Sequence, residues 1–115
     1  MKFLMTYQGV DRQPKPETMA ALGKFGEEMS KSGTLLMTGG LVRPSKGTKI
    51  TYAGGKYTVT DGPFPETKEL IDGFALIRVS SQDEALAVAK RFMAIAGEGE
   101  GEVLQVFDAA DMPAR

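Results

Sequence analysis

Apolar and polar residues alternate along this chain with two different periods, and the changes of period mark its elements. From Lys2 to Gln8, Phe3, Met5 and Tyr7 alternate with Leu4, Thr6 and Gln8, which predicts a central strand with apolar groups on both faces. Gly9 to Lys15 is a polar loop bounded by Pro14 and Pro16. From Pro16 to about Ser32 the period becomes helical: Met19, Leu22, Phe25, Gly26 and Met29 share one face, and Gly33 is the stop. Thr34 to Val42 is a second strand, in which Gly39-Gly40 predicts a bulge or a close approach of the backbone to another group.

Lys49 to Thr60 reads as a β-hairpin turned at Gly54-Gly55, which pairs Tyr52 with Tyr57 and Ile50 with Val59 on one face and leaves threonines and lysines on the other. The apolar side of such a ribbon is expected to cover something. Glu66 to Leu70 allows a turn of helix before Asp72-Gly73, and Gly73 to Val79 is a third core strand. Ser81-Gln82-Asp83-Glu84 fits a capping box, followed by a buried stripe of Ala85, Val88, Ala89, Phe92 and Ile95 or Ala96. Gly97 to Glu102 reads as a flexible acidic connector, Val103 to Phe107 as the last strand, and Asp108 to Arg115 as a loosely held tail.

Without the hairpin the order is strand, helix, strand, strand, helix, strand, an α+β class matching the ferredoxin-like βαββαβ arrangement. Two helices cover one face of such a sheet, yet the strands are apolar on both. A second copy is the simplest cover, giving a dimeric α+β barrel with a cavity or cleft where the faces meet.

Composition narrows the chemistry. At 115 residues, 42% hydrophobic, residues 1–115 make one domain large enough for its own core. A net charge of −1 from 14 basic and 15 acidic residues, with no basic run, argues against a nucleic-acid partner. There is no cysteine and no histidine, which removes disulfides, the commonest metal ligand and the commonest general base, and leaves open only a carboxylate site for magnesium or calcium. The opening apolar run is too short for an export signal, and nothing approaches the roughly 20 apolar residues of a membrane span. A cytoplasmic protein without membrane partner or cofactor is expected; the Gly97 to Glu102 segment lacks the lysine and hydroxyl of a phosphate loop.

Candidate chemistry gathers at Thr58 to Glu69. Gly62, Pro63 and Pro65 stiffen the path, which crowds Asp61, Glu66, Lys68 and Glu69 around a turn. Asp61 is either a general base beside Phe64, its pKa raised by burial, or the acceptor of an Asp-Gly turn. Glu66 and Glu69, three apart, either hold one ligand together or are solvated first-turn acids. Lys68 either binds an anion or pairs with Asp72. Tyr7 and Arg78 occupy strand positions otherwise apolar, where they either orient a polar ligand or bury their stems at a rim; Arg43 joins them as a ligand-binding candidate.

The run Val59-Thr60-Asp61-Gly62-Pro63-Phe64, with Glu66-Thr67-Lys68-Glu69, Gly73-Phe74 and Leu76-Ile77, resembles the signature of the YCII-related family, in its DGPF-domain branch. Lys2 to Met5, Gly39-Gly40-Leu41 and Gly101 to Phe107 are similar to it as well, so nearly the whole chain takes part. The resemblance implies a ferredoxin-like dimeric α+β barrel. Relatives are thought to use a His-Asp pair in a cleft, or are related to muconolactone isomerases; without histidine that pair does not carry over, and Asp61 remains alone. The branch tends to accompany sigma factors of the extracytoplasmic-function class. Two functions follow as expectations: a homodimer binding a small polar or aromatic molecule near Asp61, Tyr7, Arg43 and Lys68, with acid/base chemistry at Asp61, or a non-catalytic accessory or regulatory protein of a sigma-factor system.

Overall fold

The structure, a computed structural model, describes residues 1–9, 15–41, 47–61 and 73–109. In chain order these form β1 (Lys2–Gly9), α1 (Pro16–Lys31), β2 (Leu35–Gly40), β3 (Thr48–Ala53), β4 (Lys56–Asp61), β5 (Gly73–Arg78), α2 (Gln82–Ala96) and β6 (Gly99–Val106). The fold is mixed α+β. A four-stranded sheet runs β2-β5-β1-β6 with all described pairings antiparallel, and β3-β4 forms a separate two-stranded ribbon. β1 is central, as its two apolar faces require.

The alternation within each strand decides which face is covered. Phe3, Met5, Ile77 and Val79 turn toward the helices and are buried around Ala85 of α2, with Leu35, Val88, Ala89 and Val103 packed against them. Burying such side chains supplies the main drive for this layer, roughly 1.5–3 kcal/mol for each large one. The opposite face carries Leu4, Met37, Leu76 and Leu104 in one row across all four strands. No described element lies over it: Met37 is 58% and Leu104 49% exposed. The shortest dimension of the molecule is 19 Å, the depth of one sheet and one layer of helices, each about 10 Å thick.

The local signals set the helix ends. Pro16 opens α1, and Gly33 at φ 80° follows its Ser32 cap. At α2 the Ser81 hydroxyl oxygen accepts from the Glu84 N–H at 3.1 Å, while the Glu84 carboxylate accepts from the N–H and hydroxyl of Ser80, one residue earlier than a standard capping box. The Ser80 hydroxyl first, and its N–H second, hold the Glu84 pKa below the ordinary glutamate range.

One expectation is corrected. Gly97 to Glu102 is no connector, because Gly99 to Glu102 belong to β6, paired with Gly9 back to Thr6. A Cβ at Gly99 would strike the Gln8 carbonyl and come within 2.8 Å of the Tyr7 ring, and one at Gly101 would strike the Thr6 carbonyl. These glycines let two backbones approach; they do not loosen the chain. Of the two alternatives at Gly39-Gly40 the close approach is the one found, with Gly39 beneath the Phe74 ring, while the register shift of β2 falls between Leu35 and Met37. The apolar stripe of α1 lies on one face, as expected, and is covered unevenly: Met29 is buried, Leu22, Phe25 and Gly26 are half-buried, and Met19 is 55% exposed. α1 is held mainly to its neighbour helix, through the Arg91–Glu28 ion pair at 2.8 Å and the Arg91 guanidinium 4.9 Å above the Phe25 ring.

The hairpin has the expected register and extends one pair further, to Thr48 opposite Asp61, with Gly54 and Gly55 both at positive φ. Its Tyr52 and Tyr57 rings stack at 4.6 Å. Contrary to expectation this face covers nothing among the described residues: Ile50, Tyr52, Tyr57 and Val59 are 61–70% exposed. The radius of gyration, 16.6 Å, accordingly exceeds the roughly 13 Å of a compact chain of this length. Of the expected tail, Asp108 is tied to Lys2 Nζ at 2.7 Å; residues 110–115, like the expected helical turn at Glu66 to Leu70, lie outside the described residues.

Candidate functional site

On the helix-facing side of the sheet the side chains shrink from one end to the other. One row is Leu35, Ile77, Phe3 and Gln105; the next is Thr38, Ala75, Met5 and Val103; the last is Gly40, Gly73, Tyr7 and Gly101. Three of the four positions in that last row have no side chain. The helices do not drop to fill the space, since α1 rests on α2 and only its Met29 end reaches the core. A cavity of about 600 Å³ results, within the range of small-molecule sites. Met19, Leu22, Phe25 and Met29 of α1, Leu86, Ala89, Phe92 and Met93 of α2, and Met5, Ala75 and Val103 of the sheet line it.

The polar groups of this lining are few. Tyr7 stands edge-on to Phe92, ring centres 5.1 Å apart, and its hydroxyl is shared between the carbonyl oxygens of Gly97 at 2.9 Å and Glu98 at 3.2 Å. Tyr7 therefore pins the C-terminal end of α2 to the sheet as well as walling the cavity. The Thr38 hydroxyl donates to the Phe74 carbonyl at 2.9 Å. Lys90 and Glu102 are the charged residues among the described lining, and the alternation of β6 sets the Glu102 side chain on the opposite face of the sheet. Such a site takes an apolar or aromatic body and leaves little for a strongly polar one.

Of the described residues singled out in the sequence, only Tyr7 lies at this cavity. Arg78 is on the other face and at the other end of the sheet, exposed beside the buried Ile77. Asp61 ends the hairpin ladder, exposed, where its carboxylate accepts from the Thr48 hydroxyl at 3.2 Å. That is a cross-strand contact closing the open end of the hairpin ladder. Arg43, Phe64, Glu66, Lys68 and Glu69 fall outside the described residues. Sequence reasoning missed Thr38, Phe25 and Phe92, which look like ordinary core positions. The available signal was the coincidence of glycines at matched positions of neighbouring strands. Among the described residues no group of three or more acidic, histidine or cysteine side chains is placed to hold a metal ion, and no helix is long and apolar enough to cross a membrane.

Residues 1–110 match the model of the YCII-related domain. A protein of Rhizobium meliloti (strain 1021), described only as uncharacterized, is 33% identical over 79 residues, which are 69% of this chain. The matched stretch is 64% of that relative, so this chain spans less than two thirds of its length.

Proposed function

The chain belongs to the YCII-related family, and on that premise we propose that it binds a small, mainly aromatic or apolar molecule between its helices and the glycine end of its sheet. The observation that carries this reading is the cavity of about 600 Å³, large enough for one compact ligand and lined by methionine, leucine and phenylalanine. We further read the chain as a member of the DGPF-domain branch, on Asp61-Gly62-Pro63-Phe64, and its β2-β5-β1-β6 order as a ferredoxin-like arrangement with the hairpin inserted. The row Met37, Leu76, Leu4 and Leu104, which no described element covers, supports a homodimer that closes a barrel between two sheets. Asp61 is read as a residue that ties the ends of the hairpin together rather than one that transfers a proton, given its cross-strand contact with Thr48.

Thermal-shift screening of aromatic acids, amides and phenols tests this reading. Wild type gains melting temperature with members of the set, and Leu22→Trp, which fills the cavity from a half-exposed helix position, does not. An Asp61→Asn, Lys68→Ala variant that responds like wild type keeps the ligand in the cavity. A response lost in that variant and kept in Leu22→Trp moves it to the turn. The second reading, an accessory or regulatory protein, is favoured by the hairpin, whose stacked Tyr52 and Tyr57 stand in solvent as interface hot spots do.

A further inference from the structure

Two cations of the helices have settled partners: Lys31 meets Glu27 at 3.1 Å and Arg91 meets Glu28 at 2.8 Å. Lys90, beside Arg91 in α2, forms no ion pair among the described residues. Its helix neighbours three and four residues away are Leu86, Ala87, Met93 and Ala94, none of them acidic. Successive residues stand about 100° apart around a helix, so Arg91 holds α1 on one flank of α2 while Leu86, Lys90 and Met93 share the other. All three line the cavity. Lys90 and Met93 also border an adjoining open groove, with Ala94, Gly97, Glu98 and Gly99, so the exposed Lys90 stands where the cavity meets solvent. Glu98 does not pair with it among the described residues, and Glu102 lies on the opposite face of the sheet.

The lining therefore has two unlike parts. From Thr38 on β2 through Ala75 and Met5 to Val103 on β6 it crosses all four strands, three spacings of about 4.8 Å each, room for one ring and a short chain. That part is apolar. At its β6 side stands an ammonium group, whose four-carbon stem lies along apolar surface while its three donors keep their water. A carboxylate placed there gains an opposite charge without leaving solvent, so the cost of burying an ion does not arise. A cationic head is repelled at the same point, and a neutral one gains no charge pairing. We propose that the ligand of this cavity is an organic acid, an aromatic or aliphatic body with one carboxylate, its body lying under the helices and its carboxylate held at Lys90. This rests on the cavity reading above and adds the charge class of the ligand.

Titration calorimetry at low salt decides it, with phenylacetate, 4-phenylbutanoate and decanoate each compared with its neutral primary amide, and circular dichroism showing that each variant is folded. Wild type binds an acid about threefold to fivefold more tightly than its amide, the size of a solvent-facing ion pair. Lys90→Gln brings the acid down to the affinity of its amide. Lys24→Gln removes the same charge from an exposed position of α1 outside the lining, and there the preference stays. Wild type that binds acid and amide alike, or a preference that survives Lys90→Gln or vanishes in Lys24→Gln, overturns the acid assignment and leaves the cavity as a site for neutral molecules. Failure of every acid and every amide to bind wild type at about 1 mM overturns both.

Discussion

The two faces of the four-stranded sheet are written in the same alphabet and meet different fates. One carries Phe3, Met5, Ile77 and Val79, the last two only 1% and 5% exposed; the other carries Leu4, Leu76, Met37 and Leu104, of which Met37 and Leu104 are about half exposed. Hydrophobicity does not separate them. What does is that both helices lie on one side, so the chain satisfies one face itself and leaves the second without cover from any described element. Alternation in a strand states which residues need cover; only topology states whether the same chain supplies it.

Paired truncations break or support this contrast most strongly. Phe3→Ala is expected to cost about 3–5 kcal/mol by urea denaturation, since Phe3 is nearly fully buried, whereas Leu104→Ala stays within about 0.5 kcal/mol when measured on dissociated chains. Equal losses would mean that the open face is buried within one chain after all.

The glycine end of the covered face offers a smaller effect. Gly101→Ala is expected to destabilise by about 1–3 kcal/mol, because the new methyl group meets the Thr6 carbonyl, a backbone atom that cannot swing away. A neutral result by the same denaturation assay would show that β1 and β6 have room to separate.

The smallest effect sharpens how α2 is anchored over the covered face. Glu84 has a folded-state pKa below its ordinary value, so its contribution is fully present above the ordinary carboxylate pKa and is lost as pH falls through the depressed one. Glu84→Gln therefore lowers the melting temperature slightly at neutral pH and not at all in strong acid. A difference from wild type that persisted or grew in acid would assign the effect to something other than the carboxylate.

How legible all this was depended on the range over which each determinant acts. The hairpin register followed from Gly54-Gly55, and α2 followed from its cap and stripe, because turns and caps are set by residues next to one another. Gly97 to Glu102 was misread for the opposite reason. Its composition is that of a linker, and the demand for glycine at 99 and 101 comes from Tyr7, Gln8 and Thr6, which are distant in sequence and adjacent in the sheet. The cavity was hidden from the sequence in the same way. Density of charge drew attention to the turn after Asp61, whereas the cavity is made by missing side chains at Gly40, Gly73 and Gly101, and a missing side chain carries no chemical flag. Among the described lining, Tyr7 alone was legible, as a polar residue among apolar strand positions.

The placement of the aromatic hydroxyls has an optical consequence. The chain has no tryptophan and three tyrosines, so its near-ultraviolet emission is tyrosine emission throughout. Tyr7 borders the cavity, and Tyr52 and Tyr57 form the exposed stack on the hairpin. The unmodified protein thus carries its own chromophores at the two surfaces whose occupants are to be found. A single Tyr→Phe exchange at position 7 separates their signals, so a molecule entering between the helices and one landing on the hairpin quench different parts of the same spectrum.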